Sequence, residues 1–301
     1  MEKCKTFLKK PFRAKRLQIF TIIFFIVLSA YTVCLILPFI WALLQTFRSG
    51  IDFAIEGPLK FGGFNFENYK IIFDIFKTSV EMPDGSRGVV YIEEMYLNTF
   101  IYVLSSSIAQ IVACIFVAYA TARFPFKFSK FIYAMVLIVM ALPVVGSFPS
   151  EITVARALGL YNTRFMPFVM KFTFLGIYYF VLYEAFRAIP NDFAESAFID
   201  GANNLQVMVK IMLPMVRNIL FTIFVILFVQ YWNDYQTPIL YMYSYPTLSS
   251  GLLMLPYENG VAAQVPVQLT ASFFVFVPVL LLFIVFHERF LTNITLGGIK
   301  E

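Results

Sequence analysis

The sequence predicts an all-α, polytopic membrane protein: a single transmembrane domain over residues 1–301, with six spanning helices and both termini in the cytoplasm. Three observations predict it. The chain is 60% hydrophobic and only 14% charged, whereas about 25% of residues are charged in ordinary soluble domains. Six apolar runs, at about 17–44, 96–122, 131–149, 166–185, 217–236 and 269–286, each come near the roughly 20 residues a helix needs to cross the hydrocarbon. Basic residues gather at the ends of these runs, as the positive-inside rule asks. The net charge of +5 is thereby explained by membrane edges, and no nucleic-acid partner is expected.

Each element follows from its flanks. Lys3, Lys5, Lys9, Lys10, Arg13, Lys15 and Arg16 face a single Glu2 and keep the N-terminus inside. A signal peptide also starts basic, but the run from Leu17 to about Leu44 is too long for one and has no small-residue cleavage site behind it. Residues 48–95 hold eight Asp/Glu against five Lys/Arg and belong outside; within them MPDGSR is a turn signal. The loop 122–130 has Arg123, Lys127 and Lys130 with no acidic residue and belongs inside. Further outer loops are 150–165 and 237–268. Cys4, Cys34 and Cys114 lack metal-ligand spacing and read as free thiols or small apolar residues.

The long inner loop, Asn191–Pro214, reads as two short helices meeting at a glycine. Asp192 and Glu195 have capping-box spacing. Phe193, Ala194, Ala197 and Phe198 share one face of the first helix, and Asp192, Glu195, Ser196 and Asp200 the other. Gly201 suits a left-handed turn. Asn203 and Asn204 can cap a second helix carrying Leu205, Met208, Val209 and Met212, which Pro214 ends. On pattern alone this is either a linker lying on headgroups or a docking element.

The residues Glu195-Ser196-Ala197, Asp200-Gly201-Ala202 and Ile211-x-Leu213-Pro214 resemble the EAA loop of ATP-binding-cassette importer permeases, in the form carried by carbohydrate permeases of the maltose type. The resemblance implies that 190–214 is a coupling helix seated in a groove of an ATPase subunit, with Glu195, Ala197, Asp200, Gly201, Ala202, Leu213 and Pro214 as its site residues. It implies a second permease, two ATPase subunits carrying ATP and Mg, an extracytoplasmic sugar-binding protein, and the cytoplasmic membrane of a prokaryote. The tail Gly297-Gly298-Ile299-Lys300 is similar to the glycine-rich tail that reaches into the ATPase dimer in such permeases, making Gly297, Gly298 and Lys300 contact residues. The segment FGGFNFENYKIIF also matches, whereas Thr78–Glu94 looks longer than is usual there. Asn218 stands where the family often has a second proline.

Candidate chemistry is sparse. No G-x-x-x-x-G-K-[ST] phosphate loop occurs, so ATP hydrolysis is expected on a partner chain and no cofactor in this one. The single histidine, His287, sits at the end of the last run beside Glu288 and Arg289 and reads as interfacial. Tyr231-Trp232-Asn233-Asp234-Tyr235 closes the fifth run. Polar groups at membrane depth mark pathways or paired sites, and rings beside amide and carboxylate acceptors suit sugars; an aromatic belt is the other reading. The similarity of W-N-[DE]-aromatic-x-x-P to the same stretch in carbohydrate permeases favours a sugar pathway. Asn98, Thr99, Ser105, Ser106, Ser107 and Gln110 put a polar stripe on the second run, suited to helix contacts or to glycoside hydroxyls. Lys171 reads as a snorkelling side chain. A self-sufficient ion-coupled transporter or channel is the alternative, but its usual marks, repeated halves or charges along several spans, are missing.

Overall fold

The computed structural model describes residues 11–296 except 83, 125, 143–145 and 259, with side chains described from residue 20 to residue 287. The expected tail contacts Gly297, Gly298 and Lys300 lie outside the described residues, as does Cys4. Helix α1 (Pro11–Gln45) is apolar on every side, and residues 20–40 are all exposed. It meets the rest of the chain near its end, where Phe39 packs edge-on at 5.2 Å against both Phe273 and Phe276. The segment behind it is knotted by buried Arg48, whose guanidinium donates to the carbonyls of Asp52, Gly57 and Lys60 and to the Glu56 carboxylate. That set holds α2 (Gly50–Glu56) and the turn behind it, and α3 (Glu67–Ile75) is tied on by the Asn68 amide, which donates to the Thr46 and Arg48 carbonyls at 2.8 Å.

The departure from an all-helical chain is a hairpin of β1 (Lys77–Glu81) and β2 (Arg87–Tyr91), antiparallel, with Lys77 opposite Tyr91 and Glu81 opposite Arg87. Its turn falls in MPDGSR, as the sequence signals. Asp84 accepts from the Ser86 amide at 3.0 Å and hydroxyl at 2.7 Å, and those two bonds hold its carboxyl below the usual range. Gly85 takes φ +81. The stretch marked as a long insertion is therefore a folded unit.

Helix α4 (Ile92–Arg123) is the centre of the molecule. Ala109, Ala113, Cys114, Ala118, Ser106 and Ser107 are buried along it, and such small side chains let neighbouring helices approach closely. Packed around α4 are α5 (Ser129–Ala141), α7 (Met166–Lys171), α8 (Ile177–Arg187), α12 (Arg217–Trp232) and α14 (Leu248–Met254). α6 (Phe148–Ala157) lies before α7. The loop after α8 folds into α9 (Asp192–Ile199), α10 (Asn204–Val207), a π-helical turn Met208–Met212 and α11 (Leu213–Met215). α13 (Gln236–Tyr241), α14 and a 3₁₀ turn Leu255–Tyr257 fold the 237–268 stretch into a cap, and α15 (Val265–Leu296) ends the described chain.

Among the described residues three helices are long and apolar enough to cross a membrane: Phe20–Gln45, Ile92–Arg123 and Val265–His287; the pair Asn204–Met215 and Arg217–Trp232 passes jointly, bent by 76°. The run 166–185 is not one helix. It breaks at Phe172–Gly176, where the Thr173 hydroxyl accepts the Leu175 amide at 3.2 Å, a local side-chain bond that competes with the helical ladder. The run 131–149 stops being helical at Ala141. Leu142, ahead of Pro143, is extended at φ −90, ψ 118, as the proline ring demands of its predecessor.

Candidate functional site

Two regions carry the side chains singled out in the sequence. In the first, α9 is capped by Asn191 and not by Asp192, and the Asn191 side chain makes no capping bond. Its Oδ1 is taken instead by Arg123 Nη1 at 2.6 Å. The same guanidinium reaches Met212 Sδ at 3.4 Å, so the last turn of α4 grips both limbs of the loop. The capping box forms on the second limb: Asn203 accepts the Gln206 amide while Gln206 accepts the Asn203 amide. Gly201 has φ +84, with Gly201 N–H to Phe198 at 3.0 Å and Ala202 N–H to Ala197 at 2.9 Å. These two bonds are the Schellman closure of a helix end.

The loop's inner side is anchored by Ala197, Val207, Met208 and Met212, all buried. Phe193 and Phe198, on the same apolar face as Ala197, are exposed, as is Leu205, and Ile199 is 87% exposed. Glu195, Asp200 and Pro214 are exposed, and Ala202 and Leu213 half-buried. Exposed apolar side chains and the Asp192, Glu195 and Asp200 carboxylates thus share one stiff outer surface. A straight helix would not present it. Because the chain turns 76° at Val216, the limb from α10 to α11 lies across the end of α12.

The second region lies at the far end of α12. Asp234 accepts from the Tyr102 hydroxyl at 2.5 Å, the Thr237 amide at 3.0 Å and the Thr237 hydroxyl at 2.7 Å. Lys171 Nζ stands 3.8 Å from Asp234 Oδ2 and 5.2 Å from the centre of the Tyr231 ring. Lys171 thus does not snorkel. It comes from the end of α7, directly before the helix break, and pairs across the bundle with 23% of its side chain exposed. Tyr231 donates to Gln110 at 2.6 Å. Trp232 is fully buried, stacked on Phe228 at 5.5 Å and donating to the Val275 carbonyl at 2.9 Å. It is a packing residue and lines no surface. Asn233 and Tyr235 are exposed.

Sequence reasoning missed the partners Lys171, Tyr102 and Thr237, and also the nearby pair Tyr241 and Glu151, joined at 2.6 Å. An isolated Lys in an apolar run facing an isolated Asp in another was the available signal. The Glu151 carboxyl lies below its usual range because the Ser147 hydroxyl and then the Tyr241 hydroxyl bond to it. Of the polar stripe on α4, Gln110 serves the second region, whereas Thr99 and Asn98 bond to the α14 cap, at Leu248 N–H and the Pro246 carbonyl. Among the described residues no group of three His, Cys, Asp or Glu is placed to hold a metal ion.

The chain is similar to transport proteins throughout its length. It is 27% identical over 91% of its residues, and 87% of the relative's, to the diacetylchitobiose uptake system permease protein NgcG of Streptomyces coelicolor. It is 24% identical to the arabinooligosaccharides transport system permease protein AraQ of Bacillus subtilis, with 89% of each chain covered. Its fold matches a chain in the crystal structure of a bacterial ABC transporter that imports the acidic polysaccharide alginate, with a TM-score of 0.73 at 20% identity, covering 90% of this chain and 96% of that one. Residues 110–294, which hold the loop and the second region apart from Tyr102, match the family model for binding-protein-dependent transport system inner membrane components. The chain belongs to that family of inner membrane transport components.

Proposed function

We infer that the chain is a transmembrane permease subunit of an ATP-driven sugar importer, itself non-catalytic. The observation that carries this reading is the family match over 110–294, which spans the docking loop and the polar cluster together. Sugar as cargo is supported by the relatives, whose names specify diacetylchitobiose, arabinooligosaccharides and lactose. A binding protein outside is supported by a second solved neighbour, an alginate transporter in complex with a saccharide-bound periplasmic protein, at a TM-score of 0.57.

In this reading α9 to α11 dock on one of two ATPase subunits, a second permease carries its own copy of the loop, and ATP and Mg sit on the partners. The six-span topology, with both termini and 190–214 cytoplasmic, is part of the proposal. So are the pathway roles of Asn233, Asp234 and Tyr235, and the placement in the cytoplasmic membrane of a prokaryote. The assembled complex tests it: ATPase activity is measured with binding protein and a panel of oligosaccharides. Stimulation by a subset of sugars supports the assignment. Sugar uptake driven by an ion gradient without any ATPase subunit would refute it in favour of a secondary transporter.

A further inference from the structure

We propose that the sugar-contacting strip of this subunit is Gln230, Asn233 and Tyr178, an uncharged surface selecting neutral glycosides, with the Lys171–Asp234 pair as its buried backing. The inference rests on the importer reading and adds residues that the sequence did not single out. Along α12 the residues Ile226, Gln230 and Asn233 are exposed, while Ile223, Val225, Leu227, Phe228, Tyr231 and Trp232 are buried. Spacings of four and three put the exposed set on one face. Gln230 lies 13 residues beyond Arg217, or about 20 Å along the helix, well within a hydrocarbon layer about 30 Å thick.

An uncovered amide at that depth does not belong against lipid, where nothing satisfies its donors and acceptors. The chain offers Gln230 little in return: its Oε1 stands at the 3.5 Å limit from the Tyr178 hydroxyl, and no described residue accepts from its Nε2. Asn233 spends only its NH₂, on the Val229 carbonyl at 2.8 Å, leaving its oxygen open. The α7–α8 break at Phe172–Gly176, just before Tyr178 in the chain, adds irregular backbone, which membrane proteins tolerate where it is buried or lines a cavity and which transporters place at substrate sites. Two amides and a phenol supply donors and acceptors without net charge, the chemistry that sugar hydroxyls need. The Asp234 carboxylate is withdrawn from the cargo: it is 19% exposed and occupied by Tyr102, Thr237 and Lys171.

The test uses the full importer complex with Cys4, Cys34 and Cys114 replaced by alanine. Gln230→Cys is treated with a membrane-impermeant, water-soluble methanethiosulfonate, with and without loaded binding protein and ATP. The expected result is modification from the aqueous side, slowed fivefold or more by a transported neutral oligosaccharide. No modification, or modification that sugar does not slow, overturns the assignment. In uptake assays Gln230→Leu should lose at least tenfold and Gln230→Asn, which keeps the amide, less than threefold; equal losses again overturn it. If the parent complex transports and responds to no sugar, the importer reading itself has failed; a sugar-responsive parent whose Gln230→Cys variant gains no protection from sugar rejects the strip alone.

Discussion

Replacing Asp234 by alanine should destabilise the protein far more than replacing Lys171 by methionine, although both break the same ion pair. Asp234→Ala strands a lysine whose side chain is 23% exposed and leaves it the Thr237 hydroxyl at 3.4 Å, the Tyr231 ring face at 5.2 Å and the weaker field of the Glu151 carboxylate. It also removes the acceptor for the Tyr102 hydroxyl. Leaving one partner of a buried pair uncompensated costs about 3–5 kcal/mol; the remaining exposure of both groups sets the expectation at the low end, about 3 kcal/mol. Lys171→Met instead leaves a carboxylate that keeps three hydrogen bonds. A flexible apolar side chain of similar length fills the space, so the cost should be about 1 kcal/mol. The double variant should recover roughly 2 kcal/mol of the Asp234→Ala loss, since no charge is left stranded. Melting of the four proteins in lipid nanodiscs, followed by tryptophan fluorescence, gives the order. Equal melting of the two single variants, or a double variant no better than Asp234→Ala, would falsify the reasoning.

The remaining expectations concern the loop and the ends of the bundle. Gly201→Ala should cost about 1 kcal/mol through its φ of +84 alone, since a Cβ there meets no atom within 4 Å; Gly201→Asp should assemble yet fail to move sugar, and normal uptake by Glu195→Ala with Gly201→Asp would make the loop a plain linker. Arg123→Gln should lower uptake about tenfold while ATP hydrolysis persists, with Arg123→Lys in between; loss of assembly instead would show that Arg123 is merely structural. Glu151, its carboxyl depressed below 4.5, adds stability that is complete above that value and lost as pH falls through the lower folded-state value. Melting between pH 6 and pH 3 should therefore decline less steeply in Glu151→Gln. Finally, an impermeant thiol reagent applied to intact cells should label Lys77→Cys and not Asn204→Cys; the reverse pattern would invert the topology.

Local signals carry the loop and the hairpin turn. Gly201, the Asn203 cap and MPDGSR each act through neighbours within a few residues, and all three form as their sequences imply. The cap at Asp192 does not, because the helix starts one residue earlier, on Asn191, whose side chain is taken by Arg123, 68 positions away in the chain. The same limit hides the Asp234 site: Tyr102 is 132 residues from its acceptor, a distance no pattern spans. Hydropathy also overstates continuity. It sees 166–185 as one apolar run, yet Thr173 and Gly176 interrupt it through backbone bonding that an average over side chains does not register.

The uncovered first helix has a consequence for how the chain is made. Within the described residues α1 packs chiefly against α15, which is synthesised much later. Roughly 220 residues separate Gln45 from Val265, and at about 5–20 residues per second their synthesis takes ~10–45 s. For that interval α1 is a solitary membrane helix, and its apolar residues on every side suit it to lipid in any rotational setting. Emergence of α15 is then the event that docks it, so a chain truncated before α15 should carry an N-terminal span free to rotate.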